Sequence, residues 1–254
     1  MLKHLNAKSS TMYLNMITFA VDSNTINMSS ISIVLADKFF KKDPQSSDLG
    51  RKIVSEGIIM LDEMGFEDFT FKKLAEQIES TEASIYRYFK NKHKFLVYLS
   101  TYYWSWLEYV IEFETHHIED AKEKLDRVID IICHAYELPK VLDLPGIDIV
   151  KLRRVIENES DKTYLNRNVD EINSKGLFTG YKDLCRKIAE IVELIKPDYQ
   201  YPKALVSTFM EASHHQTFFA QHLPSLTELN SKNGKVLEVQ SANFIKHMIK
   251  SILN

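Results

Sequence analysis

From residue 48 onward the apolar positions recur every three or four residues, the period of a helix with one buried face. Ile53, Ile58, Leu61 and Met64 line one side of a first stretch, which Ser47 or Asp48 can cap and Gly65 stops. Thr70 is placed to cap a short second helix with Phe71, Leu74, Ala75 and Ile78 on its inner face. The triplet Glu79-Ser80-Thr81 breaks the pattern, and a third short helix then turns Ile85 and Phe89 inward. Asn91 can cap a long fourth helix, in which Phe95, Leu96, Leu99, Tyr103, Leu107, Val110 and Ile111 recur at helical spacing. Helices are predicted again over 121–137, 147–157, 180–195, 202–222 and 235–253. Pro139, Pro145, Pro197, Pro224 and the pair Asn233-Gly234 punctuate the connections between them, and the polar stretch 158–175 reads as loop. The prediction is an all-α protein.

The first 46 residues break this regularity. Residues 1–27 are rich in Asn, Ser and Thr without a period, which predicts disorder or a natural start further along, with Met28 a candidate. The run MYLNMITFAV (12–21) has the apolarity of a signal core, but little charge precedes it and no small-residue cleavage site stands out. SISIVL (30–35) alternates like a short extended segment, and KKDPQSSDLG (41–50) reads as a linker into the first helix.

Composition narrows the class. With 254 residues the chain can bury a core without disulfides, and only 7 glycines and 6 prolines disfavour a many-turned β architecture. Cys133 and Cys185 have no ligand spacing and read as reduced thiols, consistent with an expected cytoplasmic location. No apolar run is long enough to span a bilayer. The net charge of −3 means that any nucleic-acid surface must be a local patch.

The stretch FTFKKLAEQIESTEASIYRYFKNKHKF (69–95) supplies such a patch. Two short helices joined by a three-residue break can form a helix-turn-helix whose second helix enters the major groove. Small residues at the start of that helix, Thr81, Ala83 and Ser84, permit close approach. Tyr86, Arg87 and Tyr88 offer rings, hydroxyls and a guanidinium for bases or phosphates, while Ile85 and Phe89 already supply the inner face. Lys92, with the free N–H groups of the next helix, makes a phosphate clamp, and Thr70 makes a second.

These residues resemble the DNA-binding domain of TetR-type (tetracycline-repressor-like) transcriptional regulators. The resemblance runs from about Arg51 to Leu99: Met64-Gly65-Phe66, the Thr70 cap, Leu74-Ala75, Thr81–Ser84, Ile85-Tyr86, Tyr88-Phe89 and Asn91-Lys92. It implies an extension over 1–46, a helix-turn-helix domain over 47–96 and a ligand-binding and dimerisation domain over 97–254. Two positions depart from the family pattern. Glu79 stands where glycine is usual; if that position needs a positive φ, glutamate costs on the order of 1 kcal/mol. Glu82 stands where a basic residue is common; it favours the helix start but faces phosphates.

The remainder is expected to sense and to pair. The last two helices carry Leu205, Phe209, Ala212, Phe219 and Ala220, then Val236, Phe244, Ile245, Met248, Ile249 and Ile252, and are expected to form a homodimer seam. Tyr102, Tyr103, Trp104, Trp106 and Tyr109 crowd the fourth helix, too many for one inward face. Tyr103 and Trp106, with Met210, His214 and Phe218 as a far wall, are the expected contacts of an apolar or aromatic effector. Glu211 and His215, four apart, have the spacing of a metal pair, but the histidines read as ordinary surface or core residues and neither metal nor cofactor is expected. Nothing marks a catalytic constellation. The resemblance implies a ligand-responsive regulator of double-stranded DNA, acting as a repressor. The alternative is a helical interaction protein that has lost strong DNA affinity.

Overall fold

The computed structural model describes residues 42–254 apart from 143, 160, 166, 168, 175, 231 and the side chain of Val141. The expectations for residues 1–41, Met28 included, lie outside the described residues. Every regular element among the described residues is helical: α1 (Asp48–Asp68), α2 (Phe71–Gln77), α3 (Glu82–Tyr86), α4 (Lys92–Thr115), α5 (Ala121–Ile132), α6 (Ile149–Glu159), α7 (Asp161–Tyr164), α8 (Val169–Ser174), α9 (Thr179–Ile195), α10 (Pro202–His222) and α11 (Gly234–Leu253). No helix of this set is long and apolar enough to cross a membrane.

Local chemistry sets the boundaries. Ser47, Thr70, Thr81 and Asn91 each accept a backbone N–H three residues on, at 2.9–3.3 Å, so every helix from α1 to α4 begins on a side-chain cap. Gly65, at φ 73°, interrupts α1 where the sequence puts its stop. At the end of α2, Glu79 takes φ 55°, with Ser80 N bonded to Ala75 O at 2.9 Å and Glu79 N to Glu76 O at 3.3 Å. This is a Schellman ending with glutamate in the left-handed position. The same motif ends α5. His134 lies at φ 59°, and Ala135 N reaches Asp130 O at 2.8 Å. That cap stops the helix at Ile132, five residues short of the sequence expectation.

Two expectations are corrected. The stretch 158–175 is not loop throughout: α7 and α8 lie in it, anchored by the buried Thr163 and Ile172. Nor does α4 have a spare face. It is packed by α5, α6, α7 and α9, so Tyr102, Tyr103, Trp104 and Trp106 are all buried and only Tyr109 is half-buried. A central helix can be apolar all round. Gly57 and Gly180 admit this packing: a Cβ on Gly57 would stand 2.4 Å from the Phe95 ring, and one on Gly180 would stand 2.9 Å from Ser105 Oγ.

Candidate nucleic-acid interface

The recognition segment splits into two faces. Ile85 and Phe89 are fully buried, as their spacing predicts. Thr81, Glu82, Ala83 and Arg87 are exposed, Ser84 is half-buried, and Tyr86 is 44% exposed. The Tyr86 ring packs edge-on against Phe71 at 5.3 Å between centroids, which fixes it while leaving its hydroxyl free of partners among the described residues. Thr81 serves as cap and also pairs its hydroxyl with Ser84 Oγ at 3.0 Å. Thr70, the cap of α2, is exposed beside Lys72 and Lys73.

Tyr88 and Lys92 do not stand free as the sequence suggests. Tyr88 is only 3% exposed: its hydroxyl lies 2.7 Å from Ser47 Oγ and accepts from Lys42 Nζ at 3.2 Å. It therefore pins the segment that leads into α1 rather than presenting its ring. Lys92 Nζ donates to Phe66 O at 2.8 Å and Glu67 O at 2.9 Å, and sits 4.6 Å from the Phe66 ring centre. Its ammonium neutralises the carbonyl end of α1, so a phosphate must compete for it or share it.

The corner that holds Lys92 is held in turn from α6. Phe66 N donates to Glu159 Oε1 at 2.9 Å in a buried contact, and Lys162 pairs with Glu159 and, at 3.5 Å, with Glu67. One turn earlier, Arg154 forms a two-pronged bridge to Asp62 at 2.5 and 2.7 Å. That hydrogen-bonded guanidinium holds the Asp62 carboxyl below its usual range. The opposite side of α6 faces the body. Arg153 reaches Glu238 on α11 at 2.7 Å and Glu157 at 3.7 Å, and Glu157 lies 3.7 Å from His134, whose ring approaches the Tyr103 hydroxyl at 3.4 Å. Burial raises the Glu157 carboxyl to about 7, lowers His134 well below 6.5, and lowers His214 to about 4. Sequence reasoning did not find Asp62, Arg154, Glu159 or Lys162. Their partners lie up to 93 residues away, and no local spacing marks them.

Of the residues expected around an effector, Tyr103, Trp106, Met210 and His214 are buried together in the helical body. Trp106 Nε1 donates to Leu142 O at 2.9 Å, and Trp104 rather than Trp106 meets His214, at 5.8 Å between ring centres. Phe218 parts from this group. It is 40% exposed and packs on His222 at 4.6 Å, on the outer side of α10. The expected seam also divides: Leu205, Phe209, Ile245 and Ile249 are spent inside the subunit, whereas Val236, Phe244 and Ile252 remain exposed.

Residues 53–99 match the family model described as "Bacterial regulatory proteins, tetR family". Among solved structures the chain is similar to the fatty acid degradation regulator FadR from Bacillus halodurans, with 13% identity, a TM-score of 0.53, and 77% of this chain and 93% of that one covered. It is similar to AibR in complex with isovaleryl coenzyme A and operator DNA, with 15% identity, a TM-score of 0.50, and 78% and 97% covered. It is also similar to the superantigen PfiT, with 13% identity, a TM-score of 0.51, and 80% and 97% covered. At such identities the likeness speaks for the fold alone, and the variety of these names illustrates how little a fold fixes function. A comparison with the sequences of curated proteins gives no match.

Proposed function

We propose, for a TetR-type regulator whose residues 53–99 are the tetR-family DNA-binding module, that the chain binds a two-fold operator as a homodimer and is released by a small effector held in its helical body. The observation that carries this reading is the exposed edge of α3. Ala83, Tyr86 and Arg87 stand outward on a helix whose start is fixed by the Thr81 cap and whose inner face is already filled by Ile85 and Phe89. A short helix of this kind gains specificity by pairing with a second copy about 34–36 Å away. The exposed Val236, Phe244 and Ile252 on α11, with Phe218 on α10, supply apolar surface for that pairing. In this reading Thr70, Thr81 and Lys92 meet phosphates, and Ser84, Tyr86 and Arg87 meet base edges. Tyr88 acts indirectly, by tethering the residues before α1.

Support for ligand response comes from α6, which joins the Tyr103–His134–Glu157 neighbourhood on one side to Asp62 and Phe66 on the other. AibR, of like fold, is known with both a coenzyme A ester and operator DNA. A ligand that displaces α6 has a direct path to the corner that holds Lys92. Coupling of about 1–3 kcal/mol would shift operator affinity about 5–150-fold.

The test is fluorescence anisotropy with duplex DNA flanking the chain's own coding region, read over a salt series. Saturable binding whose logarithm falls steeply with the logarithm of salt supports the reading. Absence of binding on every flanking duplex returns the chain to the alternative, a helical interaction protein with Glu82 turning phosphates away.

A further inference from the structure

Glu211, midway along α10, is a carboxylate that makes no ion pair with a basic side chain among the described residues. Its two oxygens are met by phenols instead: Tyr164 Oη at 2.9 Å from Oε2 and Tyr181 Oη at 2.9 Å from Oε1. The Tyr164 hydroxyl also lies 3.0 Å from Asp161 Oδ1. It has one proton for two carboxylates, so one of those contacts carries uncompensated negative charge. Around this carboxylate stand aromatic faces. Tyr181 packs on Trp104 at 4.7 Å between ring centres, and Trp104 also stacks with His214 at 5.8 Å. His214 lies on α10 three residues beyond Glu211, hence on the same helix face. Burial depresses its titration to about 4, so at neutral pH it is an uncharged ring and not a rival cation.

The cluster brings together α4 (Trp104), α7 (Tyr164), α9 (Tyr181) and α10 (Glu211, His214). Trp104 and His214 are buried, whereas Tyr164, Tyr181 and Glu211 are half-buried, and the next residue after Tyr164, Leu165, is 73% exposed. The cluster therefore has a closed aromatic back and an accessible acidic front beside α7. Electron-rich ring faces and an uncompensated carboxylate attract one kind of guest.

We infer that the Glu211–Trp104–Tyr164–Tyr181–His214 cluster is the recognition site for an organic cation, an ammonium group on an apolar body, and that such a cation is the effector. The effector role rests on the regulator reading above; binding of the cation does not. The ammonium takes the place beside Glu211 and Asp161 that no lysine or arginine fills, and Trp104 and Tyr181 cover its apolar part. Tyr164 belongs to α7, which packs on α6 and α4, so filling the site bears directly on the two helices that grip the reading head.

The experiment is calorimetric titration of the free full-length chain with benzyltrimethylammonium and with neopentylbenzene, its uncharged carbon analogue. The expected result is binding of the cation and at least about tenfold weaker binding of the neutral isostere. Glu211→Gln should weaken the cation by about tenfold or more while leaving the neutral analogue unchanged. Equal affinity for the two probes, no binding of either, or full affinity in a folded Glu211→Gln chain overturns the site. If Glu211→Gln does not fold, the charged-versus-neutral comparison on the unaltered chain decides alone. Trp106→Phe, which leaves Trp104 as the sole tryptophan, adds a second readout: its emission should change with the cation. Operator DNA is then added. Release by the cation supports the effector role, and cation binding that leaves DNA affinity unchanged overturns that role. A chain that binds the cation but no DNA contradicts the regulator reading while upholding the site.

Discussion

The head formed by α1–α3 with the start of α4 and the helical body that follows are both built by packing helix on helix, yet they draw on different ranges of the chain. In the head, each helix start is fixed by a residue three positions away, and the turn between α2 and α3 closes within six residues. In the body, α5 and α11 begin on the Asp120 and Asn233 caps, but α9 and α10 begin without a side-chain cap. Their surroundings are fastened by distant pairs: Arg153 to Glu238, Lys246 to Asp130, Lys250 to Asp126, and Lys187 to Glu108. Local closure sets the helix boundaries of the head, and Tyr88 and Lys92 then tie its helices to one another. Distant fastening gives a body in which the loss of one pair loosens a contact between two helices.

The contrast breaks most visibly at Arg87. It is exposed and holds nothing else in place, so Arg87→Ala should cost about 1–3 kcal/mol of operator affinity, roughly 5–150-fold, with no change in Tm. Lys92→Ala should do both kinds of damage, because its ammonium also secures Phe66 O and Glu67 O. Anisotropy and thermal melting on the same two variants separate these roles; equal Tm loss in both would show that Arg87 is structural.

Glu159→Ala comes next. It strips the buried Phe66 N–H of its acceptor and removes one of the carboxylates that Lys162 pairs with, at a cost of about 2–3 kcal/mol in denaturant titration. Because that contact joins head to body, its loss should also weaken any effect of effector on DNA affinity. A variant that melts like the parent would show the corner to be held by the head alone.

What the sequence made legible follows the same division. Ser47, Thr70, Thr81, Asn91 and Gly65 were readable as boundaries because a cap or a stop acts over three or four residues. The buried set Ile53, Leu74, Ile85, Phe89 and Phe95 followed from period alone. Tyr88 was misjudged because its partners, Lys42 and Ser47, lie over 40 residues back and come beside it only after folding. Phe218 was misjudged because periodicity fixes relative, not absolute, orientation: it places residues on a shared face without saying which neighbour that face meets. Tyr164 was missed altogether, since its helix is a single turn with too few residues to show a period.

Titration sets two body residues against each other. Glu157 is raised from 4.5 to about 7, so the folded state holds its proton more tightly; that stability is fully present below about 4.5 and is lost as pH rises through 7. His214 is lowered from 6.5 to about 4, so its contribution is fully present above about 6.5 and is lost as pH falls toward 4. Glu157→Gln should therefore gain about 1–2 kcal/mol relative to the parent between pH 5 and pH 8. His214→Phe should remove the loss that His214 contributes between pH 6.5 and pH 5, so that the variant gains more stability on acidification than the parent does. Denaturant midpoints across this range check both signs, and parallel curves for parent and variants would remove either group from the account.

The smallest effect is the sharpest comparison, because each region has one Schellman ending with a residue other than glycine in its left-handed position among the described residues. Glu79 and His134 both occupy the left-handed position of a Schellman ending, at φ 55° and 59°. A side chain there costs about 1 kcal/mol relative to glycine. Glu79 is exposed and makes no ion pair among the described residues, so Glu79→Gly should raise stability by about that amount. Glu79→Ala, which removes the charge but keeps the Cβ, should give no such gain. His134 repays the same strain by packing beside Tyr103 and Glu157. His134→Gly should consequently destabilise the fold, despite relieving an identical backbone. If both glycine variants moved Tm in the same direction, the strain in the head would not be a local matter, and the division between a head closed over short range and a body fastened over long range would lose its clearest case.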